Sequence, residues 1–129
     1  MANWDRNAAL AATRGKAMPN VAIERMWIYH HDLEFRVQAY AQAKTDYDRL
    51  LSRVVVQMRQ EGEKSYDVCK HVAEMDPGVH DAHLAYRLAE QMMAADKEAL
   101  KILHAELEAY RTQAADQRAA DQFQARTQP

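Results

Sequence analysis

Between Asn20 and Glu61 the chain holds neither glycine nor proline, and apolar side chains recur there at alternating steps of three and four residues. The series Ile23, Met26, His30, Leu33, Val37, Tyr40, Lys44, Tyr47, Leu51, Val54 and Met58 is apolar at nine of eleven positions, which is the seam of a heptad helix. At about 1.5 Å per residue such a helix is roughly 60 Å long. It cannot bury its stripe against itself, so it needs a partner helix.

The partner lies further along the same chain. From Val79 the same stepping gives Ala82, Tyr86, Ala89, Met93, Asp96, Leu100, Leu103, Leu107, Tyr110 and Ala114, ten of eleven positions apolar counting Val79. Asp76 precedes Pro77 as a natural cap and first-turn pair, and Asn20 is placed to cap the first helix. Gly62 interrupts the pattern between the two, and Ser65 can cap a short connector carrying Tyr66, Cys69, Val72 and Ala73 on one side. The expected fold is therefore all-α: two long antiparallel helices, about 20–61 and 77–118, with a short helical connector, forming a coiled-coil-like hairpin within an oligomer. Residues 1–19, with Gly15, Pro19 and no sustained stripe, read as a flexible N-terminal arm in which Trp4 is the one large apolar side chain that could dock, on a neighbouring subunit. Residues 119–129 read as a frayed polar tail, the second helix fading near Arg118.

Each seam has one charged interruption, Lys44 in the first and Asp96 in the second. A hairpin that sets Met58 near Val79 brings them within about one turn, so they either pair, fixing register, or Lys44 extends its ammonium to water while Asp96 sits at the seam's edge. His30 falls on a seam position, where a hydrogen-bonded core histidine is expected. Filling both seams still leaves Trp27, Leu50, Val55, Val56, Leu84, Leu88, Met92 and Ile102 to be covered. That surplus marks an interface, with Trp27, Leu84, Leu88 and Met92 as its candidates, and points to a homo-oligomer.

Composition excludes several classes. With 48% hydrophobic and 28% charged residues the 129-residue chain suits one folded domain, and its single cysteine, Cys69, cannot form an internal disulfide. No run approaches the ~20 apolar residues of a membrane span, and Asp5 and Arg6 interrupt any leader, so the expected location is the cytoplasm. No phosphate loop, nucleophile elbow, HExxH or di-iron Glu-x-x-His is present, and neither His80 with His83 nor His30 with His31 has the spacing of a specific metal site. The expectation is a non-enzyme with no cofactor and no metal.

Charge is uneven. Residues 1–60 carry nine Lys or Arg against six acids and 61–129 carry eight against thirteen, giving halves of +3 and -5. On the first helix Lys44, Arg49, Arg53 and Arg59 are candidate phosphate contacts, with Arg49 and Arg53 one turn apart. Tyr40 and Tyr47 are interleaved with them and could stack on bases, but both are seam positions and burial is the expected fate.

The stretch QAKTDYDRLL, holding Lys44, Tyr47 and Arg49, resembles the basic and aromatic end of the first helix in the UvsY recombination mediators of T-even-like phages. The stretch VAEMDPGVHDAHLAYRLAEQMMAADKEALKILHAEL, Val72 to Leu107, is similar to that family's second half, and the likeness covers roughly residues 20–120. The chain departs from the family in its net acidity and thinner basic cluster. The resemblance implies an oligomer that binds single-stranded DNA, contacts a strand-exchange recombinase and the single-strand-binding protein, and helps the first replace the second. Composition alone favours the alternative, a helical protein–protein adaptor or inhibitor that touches no nucleic acid.

Overall fold

A computed structural model describes residues 3–62 and 65–127. Helix α1 spans Arg6–Ala11, α2 Asn20–Gln60, α3 Tyr66–Ala73 and α4 Pro77–Thr127. Among the described residues there is no strand, and the fold is an all-α hairpin of two long helices with a short one between them.

Local chemistry sets the boundaries. Asp5 caps α1 by accepting from the Ala8 amide, Ser65 caps α3 by accepting from Val68, and Asp76 caps α4 by accepting from Val79 at 3.1 Å. Asn20 is not a cap. The chain enters α2 one turn earlier through backbone bonds from Val21 to Ala17 and from Ile23 to Pro19, so Asn20 is already helical. Gly62, at φ 113°, takes the left-handed conformation that stops α2 at no steric cost. At the other end α4 continues past Arg118 to Thr127. The polar tail has no stripe to bury, and residues 115–127 are all exposed, but its Ala, Gln and Arg are good helix formers and Gln117 bonds Asp121 one turn on.

The chain divides into two compact units, each taking part of α2 and part of α4. Residues 33–95 form the first. There the C-terminal part of α2 runs antiparallel to the start of α4: Arg36 reaches the Met92 sulfur, Tyr40 and Tyr47 meet Tyr86, and Leu50 approaches Gly78. Connector α3 closes the hairpin end, where Val55, Cys69 and Ala73 form a buried cluster packed by Leu51, Val54 and Met58. Val55, expected to need outside cover, is thus covered by α3.

The second unit contains α1, α2 up to Asp32 and α4 from Asp96. Here Leu103 and Leu107 are buried as the second seam requires, but the first seam is displaced. Ile23 and His30 are exposed, while Ala22 and Asp32 are buried and Arg25 and Tyr29 half-buried. Strict three-four stepping drifts by about 20° per heptad from a straight α-helix. Carried back from Tyr47 over more than three heptads, that drift approaches one residue position, so the buried line passes through Tyr29 and Asp32. His30 is therefore not a core histidine.

Candidate functional site

The nucleic-acid candidates on α2 do not form one cluster. Arg49 and Arg53 lie on a shallow outer strip together with Ser52, Val56, Gln57 and Gln60, bordered by Asp48. Both guanidiniums are exposed, and neither has an ion pair among the described residues. Lys44 belongs to another face. Its ammonium is 4.8 Å from the Tyr86 ring centroid and 3.5 Å from the Asp48 carboxylate. Burial pulls the Lys44 pKa down, but Asp48 with Tyr86 and Tyr40 outweighs it, leaving the group above its ordinary value. Arg59 stands in the last turn of α2, outside the strip. Tyr47 is buried, stacked on Tyr86 and touching His83, and burial raises its phenol pKa. Tyr47 is therefore not free to stack on a base, and Tyr40, half-buried, lies tilted against Tyr86 with ring centroids 5.8 Å apart.

Of the interface candidates, Trp27, Leu84 and Leu88 are exposed, at 72%, 54% and 63%. Met92 is half-buried and its sulfur accepts from Arg36 Nη1 at 3.7 Å, so it belongs to the hairpin's own packing. The described residues bring together no group of three His, Cys, Asp or Glu able to hold a metal ion.

The densest polar arrangement is one that sequence reasoning did not assemble. Asp96 is fully buried, and its Oδ1 accepts from Arg6 Nη1 at 2.9 Å; the same nitrogen lies 3.5 Å from Asp32 Oδ2. The Trp4 indole N–H donates to Asp32 Oδ1 at 2.9 Å, its ring meets His31 edge-on at 4.4 Å, and the Arg6 guanidinium lies 5.9 Å from the Tyr29 ring centroid. Lys44 and Asp96 are thus not each other's partners: Lys44 has Asp48, and Asp96 has Arg6 and Asp32. Trp4 engages its own chain. Its indole and Arg6 anchor the segment before Pro19 on α2 and α4, together with the Thr13–Arg25 bond and the exposed Lys16–Glu24 pair.

Asp96 Oδ2 and Arg6 Nε are buried without a hydrogen-bond partner among the described residues. The Asp32 and Asp96 carboxyls both lie against Arg6 Nη1, which brings two like charges into one buried site. Burial foremost, then the Asp32 carboxyl, raises the Asp96 pKa from 3.8 to about 6, against the opposing pull of Arg6. A carboxyl whose folded pKa is raised favours the protonated form. Its contribution to stability is fully present below about 4 and is lost as the pH rises through about 6. In Asp96→Asn the carboxamide can still accept from Arg6 and is uncharged at any pH. The variant should therefore come closest to wild type near pH 4 and exceed it increasingly toward pH 7.5; parallel melting-temperature curves across that range would contradict the raised Asp96 pKa.

No family model, curated protein or solved structure matches the chain.

Proposed function

We propose that this chain is a non-enzymatic accessory protein of DNA recombination, of the mediator type, which as a homo-oligomer binds single-stranded DNA and a recombinase. The observation that carries the reading is the outer strip of α2, where Arg49 and Arg53 are exposed with no acidic partner among the described residues and are flanked by Ser52, Gln57 and Gln60. Guanidinium groups contact phosphate oxygens, and neutral hydroxyl and amide side chains add hydrogen bonds along a backbone. With Tyr47 stacked inside the hairpin and Tyr40 half-buried against Tyr86, recognition rests on phosphate, so it is sequence-independent and salt-sensitive. Lys44 helps indirectly. By pairing Asp48 it offsets the one acid bordering the strip.

Two arginines per subunit bind weakly, and an oligomer repeating the strip gains by multivalency. The mechanism is scaffolding: several subunits hold one strand extended while the acidic second half engages the recombinase, which displaces the single-strand-binding protein.

A second reading, a helical adaptor that binds another protein and no nucleic acid, is favoured by the exposure of Leu84 and Leu88, one turn apart on α4. Fluorescence anisotropy with a labelled oligodeoxythymidine separates the two. The mediator predicts binding that weakens from 50 to 200 mM salt and is lost in Arg49→Glu/Arg53→Glu. Removing two phosphate contacts should lower the salt slope by about 1.4 per subunit engaged. Leu84→Glu should leave DNA contact by each subunit intact. Undetectable or salt-independent binding would end the mediator reading and leave the adaptor.

A further inference from the structure

The unit containing α1 also holds a cleft of about 590 Å³ that neither the DNA strip nor the buried carboxyl pair uses. Its floor is apolar, made by Leu10, the Tyr29 ring, Ile102 and Leu103, and two guanidiniums, Arg14 and Arg25, face it from α1's end and from α2. The size and mixture suit a ligand site: apolar walls with a few convergent polar groups.

Arg25 is held in place. Its Nε donates to Thr13 Oγ1 at 2.9 Å, and that hydroxyl donates to the Leu10 carbonyl at 2.7 Å, so a completely buried threonine fixes the guanidinium beside the cleft. One N–H is spent on Thr13, and neither Arg14 nor Arg25 has an ion pair among the described residues. One acid, Glu106, lines the cleft against these two cations. The excess charge is positive and the remaining guanidinium donors have no protein partner among the described residues, which selects an anionic group carried on an apolar stem.

We infer that this cleft captures the C-terminal residue of a partner polypeptide, its apolar side chain on Leu10, Tyr29 and Ile102 and its free α-carboxylate between Arg14 and Arg25. The cleft is open to solvent along one side. A small free acid would leave much of its surface wet there, whereas a chain end needs only its last residue enclosed, with the rest running outward. Capture of a terminal carboxylate with an adjoining apolar pocket is a recurrent mode of peptide recognition.

The test is anisotropy of the full-length protein with fluorescein-labelled Gly-Ser-Gly-Leu-Phe bearing a free carboxylate, against the same peptide as its C-terminal amide, and with 4-phenylbutyrate as competitor. The acid should bind, and the amide should be weaker by about tenfold or more, the size of one charge-assisted hydrogen bond. Arg14→Gln, an exposed position that holds no helix in place, should weaken the acid and not the amide. Glu106→Gln should tighten the acid, a gain that loss of folding cannot mimic. Equal binding of acid and amide, or no binding at millimolar peptide, would overturn the assignment. Competition by phenylbutyrate at concentrations as low as the peptide's own would overturn the polypeptide occupant. Since none of these residues lies on the α2 strip, failure here is distinguishable from failure of DNA binding.

Discussion

Replacing Arg6 with alanine is expected to lower stability by about 3 kcal/mol at pH 7, measured by urea unfolding, because it removes the guanidinium that contacts the fully buried Asp96 carboxyl. Asp96 has no exposed side-chain area, Asp32 3% and Arg6 27%, so solvent screens the trio little. The loss should shrink as the pH falls toward 5. Without Arg6, whose charge and hydrogen bond pull the Asp96 pKa down, Asp96 stays protonated to higher pH than in wild type. Trp4 reads the same event locally: in a Trp27→Phe background its fluorescence should shift to that of a solvated indole when Arg6 is removed. For comparison, Arg87→Ala or Arg111→Ala, which break exposed pairs with Glu90 and Glu108, should cost under about 1 kcal/mol. An Arg6→Ala protein with wild-type unfolding at pH 7 would mean that the trio does not hold this unit together.

The second large effect is expected at the hairpin end. Val55→Asp puts a carboxylate among Cys69, Ala73, Leu51, Val54 and Met58, none of which can pair with it, and should cost about 3 kcal/mol or more. Cys69 is an internal reporter. Its thiol is completely buried, so reaction with a disulfide reagent requires α3 to lift away from α2. At about 1.4 kcal/mol per factor of ten, labelling of Cys69 should accelerate at least a hundredfold in Val55→Asp. The neighbouring Val56→Asp is the matched control. Val56 faces solvent on the outer strip, so the same chemistry one position along should change stability by no more than about 0.5 kcal/mol and leave the thiol protected. Equal labelling rates in the two variants would show that Val55 does not hold α3.

These positions also show where the sequence was and was not legible. The second seam, Val79 to Leu107, is buried or half-buried throughout, because apolar side chains mark that face without a competing signal. Cys69 was readable as a packing residue for the same reason. The line from Tyr29 to Asp32 was not, since a stripe made of Arg, Tyr and Asp carries no apolar period, and the apolar neighbours Ile23 and Val37 mark a face that turns to solvent. One signal was available: Asp96 occupies a seam position, and a buried carboxylate demands a cation. Lys44 answered that demand by spacing. Arg6 answers it in space, from ninety residues away, together with a second carboxyl that spacing had no way to recruit.

For the proposed site the division is similar. That Arg49 and Arg53 share a face follows from four-residue spacing on a helix and could be read directly. That Lys44 meets Tyr86 and Asp48, and that Tyr47 is withdrawn into stacking with Tyr86 while Tyr40 tilts against the same ring, depends on the partners that the other helix supplies.

By itself the amino-acid order determined an all-α chain, two long helices, their glycine and proline punctuation, the Ser65 and Asp76 caps and most of the apolar seam. Those are consequences of periodicity and local hydrogen bonding, which act over a few residues. Only the tertiary structure decided which polar groups are buried together, that α3 covers Val55, that the N-terminal segment meets the hairpin through Trp4 and Arg6, and that a cleft with two arginines lies beside it. Such pairings follow from charge and desolvation between residues far apart in sequence, and no local period records them.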